Sequence, residues 1–210
     1  MTRILLALFL ALLSPAAAWA ATPFVPSEGV DYVLIDDARP YRPLQGKIEV
    51  VEVFAYWCPH CAAFQPRVDA WRRSLPADVR FTFVPLTTAS GDPQARAYFA
   101  AERMGAVERI HASLFHAMHD EGTMPRNPSD GELQAWLAGQ GLSAAKLKSA
   151  WNSPAMAGDL RHASDFEHAV DIEGTPTLVI NGRYRIIGST QESMLRIADA
   201  LIASLRAGRR

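Results

Sequence analysis

VVEVFAYWCPHCAAF, residues 50–64, passes from strand to helix around a pair of cysteines. Its first part, Val50 to Phe54, is apolar at nearly every position, as a strand buried on both faces is. Cys58 follows, then Pro59, which suits the first position of a helix because the missing amide proton has no partner there anyway. His60 to Arg73 is compatible with a helix and puts Phe64, Val68 and Trp71 on one face. Arg80 to Val84 reads as the next strand, so the cysteines stand where the first helix of a β-α-β unit begins.

Working outward, Tyr32 to Ile35 reads as an earlier strand, and from Gly91 onward the apolar period becomes helical. Asp92-Pro93 and Ser153-Pro154 each set a capping residue before a proline, Ser129 to Glu132 fits a capping box, and Ser143 caps a further short helix. After Gly174 strand chemistry returns: Thr177 to Ile180, a turn at Asn181-Gly182, then Tyr184 to Ile187. A last helix is expected from a cap at Ser189 with Glu192 three residues on, burying Met194, Leu195, Ala198, Leu201, Ile202 and Leu205.

The chain opens MTRILLALFLALLSPAAAWA: Arg3, an apolar run from Ile4 to Leu13, and a small-x-small site at Ala18-Trp19-Ala20. This predicts a secretory signal peptide over 1–20, its core shorter than the roughly 20 apolar residues a spanning helix needs. Without Arg3 the remainder holds 20 basic and 22 acidic residues, a net charge of −2, which speaks against a nucleic-acid partner. The whole chain is 49% hydrophobic, and its apolar residues continue evenly past residue 20, so the exported part can bury a core unaided. Its 2 cysteines close too short a loop to add much stability, so a chemical role explains them better.

Cysteines three apart on the first turn of a helix share a face near the separation a disulfide requires. Cys58 faces unpaired backbone N–H groups and the positive end of the helix dipole, which favours its thiolate, while Cys61, one turn deeper, is shielded and suited to a resolving role. Pro59 fits the first helical position, and His60 can bring positive charge to the Cys58 sulfur. A stabilised thiolate is also a good leaving group, so such a pair gives up its disulfide readily.

With FAYWCPHCAAF, then Gly174-Thr175-Pro176 before a strand and an Asn-Gly hairpin, the chain resembles the DsbA family of periplasmic disulfide oxidoreductases over essentially its whole exported length. The resemblance implies an α/β, thioredoxin-like fold with an inserted helical subdomain: 1–20 signal peptide, 21–89 the first part of the thioredoxin-like domain, 90–170 the helical insertion, 171–210 the second part. It implies a cis peptide at Thr175-Pro176 facing the cysteines, where the preceding backbone pairs with an extended substrate. It matches Glu52 to a buried acid beneath the active site, and Arg80, where the family often has lysine, is the expected cationic neighbour. The alternative for Glu52 is an outward-facing strand residue. Thr175 stands where DsbA-like enzymes often have valine and is also common in disulfide isomerases, so both directions of chemistry stay open there. Residues 21–47 are too few for the dimerisation domain of those isomerases.

The implied reaction donates the Cys58–Cys61 disulfide to reduced, newly exported proteins. The implied partner is a quinone-linked membrane reoxidase of the DsbB type, with no cofactor, no metal, no nucleic acid and no stable membrane insertion. The rivals are a reductase or isomerase, a peptide-binding chaperone with redox activity, a cysteine nucleophile of the protease kind, and a metal site using Cys58, His60, Cys61 or the cluster His111, His116 and His119.

Overall fold

The computed structural model describes residues 24–37, 39–88 and 91–208, so the expected signal peptide at 1–20 lies outside the described residues. A five-stranded mixed sheet has the order β1-β5-β4-β2-β3, with β1 Tyr32–Leu34, β2 Ile48–Phe54, β3 Val79–Pro85, β4 Thr177–Ile180 and β5 Tyr184–Ile186. β2 runs parallel to β3 and antiparallel to β4, and it is buried along its whole length. Burial on both faces accounts for its mostly apolar sequence, interrupted by Glu49 and Glu52, without polar alternation.

Helix α1, Pro59–Arg72, joins β2 to β3. Between β3 and β4 stand α2 Pro93–Arg103, α3 Val107–His119, α4 Asp130–Gly139, α5 Ala144–Trp151 and α6 Pro154–Ala169. Asp92, Ser129, Ser143 and Ser153 each cap the helix expected of them, and Ser129 and Glu132 form the reciprocal box. α1 packs against α3 and against α7, Gln191–Ala207. The Trp71 indole donates to Asp199 at 2.8 Å, fastening α1 to α7.

Several element ends differ from the sequence reading by one or two residues, and two of the differences have a local cause. α7 is capped one residue late, by Thr190, whose hydroxyl accepts from the Ser193 N–H while Ser193 bonds back. Ser189-Thr190 offers two overlapping boxes, and only tertiary packing chooses between them. In the hairpin, Asn181 and Gly182 both have positive φ and Arg183 N–H donates to Ile180 at 2.9 Å, but the ladder resumes at Tyr184, leaving Arg183 as an extra residue. A Cβ at Gly182 would overlap the Arg39 carbonyl, so that position needs glycine for space as well as for φ.

Candidate functional site

Cys58 is the N-cap of α1, with extended backbone (φ −79°, ψ 118°), and Pro59 takes the first helical position. Both cysteines are free thiols; Cys61 is fully buried and Cys58 is 4% exposed. The Thr175-Pro176 bond is cis and brings the Thr175 carbonyl to 3.3 Å from the Cys58 sulfur. Beside it lies a cleft of about 440 Å³ lined by Val33, Thr175, Pro176, Arg185 and Ile187 among others. Exposed Trp57 and Ile187 give the surroundings of the pair an apolar character.

The two thiols are driven apart electrostatically. Cys58 is lowered to about 5, first by the hydrogen bond that Cys61 gives its sulfur. Burial opposes this, and Thr175 and the backbone N–H groups of Cys61 and His60 add to the lowering. Cys61 is pushed far up, first by burial and then by its bond to Cys58, with the Glu52 carboxyl raising it further. The expected helix-start donors are therefore present, although none closes to a full capping bond. His60 acts here through its backbone N–H; its side chain is exposed, and its carbonyl accepts from Gln191 at 3.1 Å.

Glu52 is 1% exposed in β2, with one carboxylate oxygen lacking a partner. Burial pushes it up to about 8, Asp69 adds to the rise, and Arg72 opposes it. The expected neighbour Arg80 pairs instead with Glu49. The reason is strand parity: Glu49 and Glu52 are an odd number of residues apart, so their side chains leave opposite faces, and Arg80 sits across the ladder from Glu49. The cation that Glu52 feels is Arg72 of α1, itself tied to Asp69 at 2.7 Å and to Glu108 at 2.6 Å.

Replacing Glu52 should stabilise the fold. An unfolded glutamate ionises near ~4.3, whereas the buried one holds its proton until about pH 8. The native state is thus penalised increasingly as pH rises between those values, and the penalty levels off above the folded one. Glu52→Gln in the dithiol form should gain ~2 kcal/mol or more at pH 7, a gain that vanishes toward pH 4, measured by denaturant unfolding at both. Equal stabilities at pH 7 would show that the carboxyl is not held protonated.

Of the three histidines weighed as ligands, His116 is exposed beside Asp120 and Glu121, while His111 and His119 both engage Tyr56. The described residues hold no group of three metal-ligating side chains. None of their helices is long and apolar enough to cross a membrane. Sequence reasoning missed Tyr56, Arg72 and the contact of the Thr175 carbonyl with the Cys58 sulfur; only for Tyr56 was there a signal, its place inside the motif segment.

Comparison with known proteins agrees with this fold. The family model of the DSBA-like thioredoxin domain matches residues 77–199. The thiol:disulfide interchange protein DsbA of Pseudomonas aeruginosa PAO1 is 38% identical over 183 residues, 85% of this chain and 85% of its own. That of Bordetella pertussis is 35% identical over 209 residues, 94% of this chain and 97% of its own. The crystal structure of the oxidoreductase DsbA from Xylella fastidiosa superposes with a TM-score of 0.84 at 42% identity, covering 88% of this chain and 100% of that one.

Proposed function

Because the chain belongs to the DsbA-like thioredoxin family, with its α/β thioredoxin-like fold and its thiol:disulfide oxidoreductase chemistry, we propose that Cys58 is the sulfur through which it oxidises substrates. The observation that carries this is the opposite displacement of two adjacent thiols, Cys58 down to about 5 and Cys61 up. A substrate thiolate attacks Sγ of Cys58, the intramolecular S–S bond breaks, and Cys61 leaves and takes a proton. Glu52, protonated at neutral pH, is a proton source on the buried side. The substrate's second thiolate then attacks its own sulfur in the mixed disulfide and expels Cys58 as the stabilised thiolate. The substrate loses two electrons, which remain on the Cys58–Cys61 dithiol.

Thr175 and Pro176 shape the cleft in which an extended substrate segment lies against the Thr175 backbone, and His60 and Pro59 complete the helix start under Cys58. Residues 1–20 direct export to the periplasm and are removed, leaving 21–89 and 171–210 to build the redox domain around the insertion 90–170. Substrates are reduced, newly exported proteins, and reoxidation comes from a DsbB-type membrane partner linked to quinone. The test is the equilibrium of the pair with glutathione. A strongly oxidising pair, mostly reduced at equal glutathione and glutathione disulfide, is the expected result; a potential near that of thioredoxin, about −270 mV, would sink the oxidase direction in favour of a reductase.

A further inference from the structure

Two histidines of α3 hold Tyr56, two residues before Cys58, at both of its ends. Nδ1 of His111 lies 3.0 Å from the Tyr56 hydroxyl, and Nε2 of His119 lies 2.7 Å from the Tyr56 carbonyl oxygen. Tyr56 and His111 are 1% and 3% exposed. The rings of Phe54, Phe83, Tyr98 and Phe115 surround His111.

A histidine in such a place is costly, since its Nε2 has no hydrogen-bond partner, and a leucine or phenylalanine would pack without that cost. The Tyr56 hydroxyl is what the imidazole gains. Tyr56 is the donor: were His111 to donate, both the phenol proton and the Nε2 lone pair would be left without partners, whereas with Tyr56 donating only an N–H facing aromatic rings is left. At His119 the direction is fixed, because a carbonyl only accepts and Nε2 must carry the proton. Burial holds His111 down to about 3, so the bond from Tyr56 to Nδ1 persists at neutral pH.

The grip matters because of what the turn carries. Cys58 N–H donates to the Ala55 carbonyl at 3.1 Å, closing the turn from β2 into α1. From that turn Ala55 directs its backbone N–H at the Cys61 sulfur, while His60 and Cys61 direct theirs at Cys58. We propose that His111 and His119 are positioning residues: by fixing the hydroxyl and carbonyl of Tyr56, they hold the turn in the register that aims these N–H groups at the two sulfurs. The helical insertion thereby tunes the redox pair through Tyr56. The proposal rests on Cys58 being the reactive thiolate, and its test reads the enzyme alone.

Tyr56→Phe keeps the ring contacts and removes the hydroxyl; His119→Leu removes the donor to the carbonyl; His119→Gln offers an amide N–H in its place. For each reduced protein the Cys58 thiolate is titrated by its ultraviolet absorbance, and the equilibrium with glutathione is measured. Tyr56→Phe and His119→Leu should each raise the Cys58 midpoint and shift the equilibrium toward the oxidised enzyme about fivefold, the worth of one hydrogen bond. His119→Gln should restore both to within about twofold. Variants that melt lower but keep the wild-type midpoint and equilibrium would reduce the histidines to packing and overturn the proposal. Should His119→Leu fail to fold, Tyr56→Phe and His119→Gln still decide the matter by the same readouts. Neither readout needs a protein substrate: a wild-type enzyme that oxidises none would count against the functional reading, while the variant shifts would still support the grip and their absence would overturn it.

Discussion

Cys58→Ser should abolish disulfide transfer and capture no substrate, whereas Cys61→Ser should accumulate substrates as mixed disulfides on Cys58. The reason is that Cys58, 3.3 Å from the carbonyl of Thr175 and 4% exposed, keeps a path to substrate, while Cys61 is fully buried and held as a thiol. Magnitudes show where the low Cys58 value matters. At pH 7 an ordinary thiol of pKa ~8.5 is ~3% thiolate and Cys58 is nearly all thiolate, a gain of ~30-fold. Nucleophilicity falls with basicity, and with a Brønsted slope of ~0.45 the fall from ~8.5 to about 5 costs about as much. As an attacking group Cys58 therefore gains little at neutral pH; as a leaving group it keeps the whole benefit. Alkylation of the reduced protein should label Cys58 in strong preference to Cys61, and at pH 5 Cys58 should outpace a free thiol ~40-fold. Labelling of Cys61 before Cys58, followed by mass spectrometry, would reverse the assignment.

The parts of this architecture that the sequence declares are those with local causes. The β2-to-α1 passage, the caps at Asp92, Ser129, Ser143 and Ser153, and the Asn181-Gly182 turn each depend on residues within four positions of one another. The neighbour of Glu52 was out of reach because it depends on how β3 registers against β2, which no local pattern states. Strand parity alone would have separated Glu49 from Glu52; that Arg80 falls opposite Glu49 is a fact of the assembled sheet. The histidines of α3 are a sharper instance. They meet Tyr56 from 55 and 63 residues away, and in sequence they look like part of a metal cluster because His116 and His119, three apart, share a helix face. The fold spends two of them on one tyrosine and leaves His116 to solvent.

The reduced protein should gain stability over the oxidised one as pH rises from 5 to 8, and should be the more stable at pH 8. Only the reduced form has a Cys58 thiolate, whose folded pKa of about 5 lies below the unfolded value of ~8.5. A depressed acid contributes fully above its unfolded pKa and loses that contribution as pH falls through the folded one. Between pH 5 and 8 the contribution changes by ~3.5 kcal/mol at face value, and by ~2–3 kcal/mol after discounting for solvent screening. Opposing it, the disulfide closes a loop of four residues, whose chain-entropy worth is at most ~2 kcal/mol. Closure wins at pH 5 and the thiolate at pH 8, with the two forms crossing near neutrality. Above about pH 9 the trend should reverse, because an unfolded Cys61 ionises there while the buried one resists. Melting both redox forms across this range should show the reduced-minus-oxidised gap widening by ~6 °C from pH 5 to 8. A gap that stays flat or narrows would mean that Cys58 is not held as a thiolate. The same cycle ties stability to chemistry: each ~1.4 kcal/mol by which folding favours the dithiol raises the potential of the pair by ~30 mV, so a disulfide that weakens the fold is one the enzyme gives away.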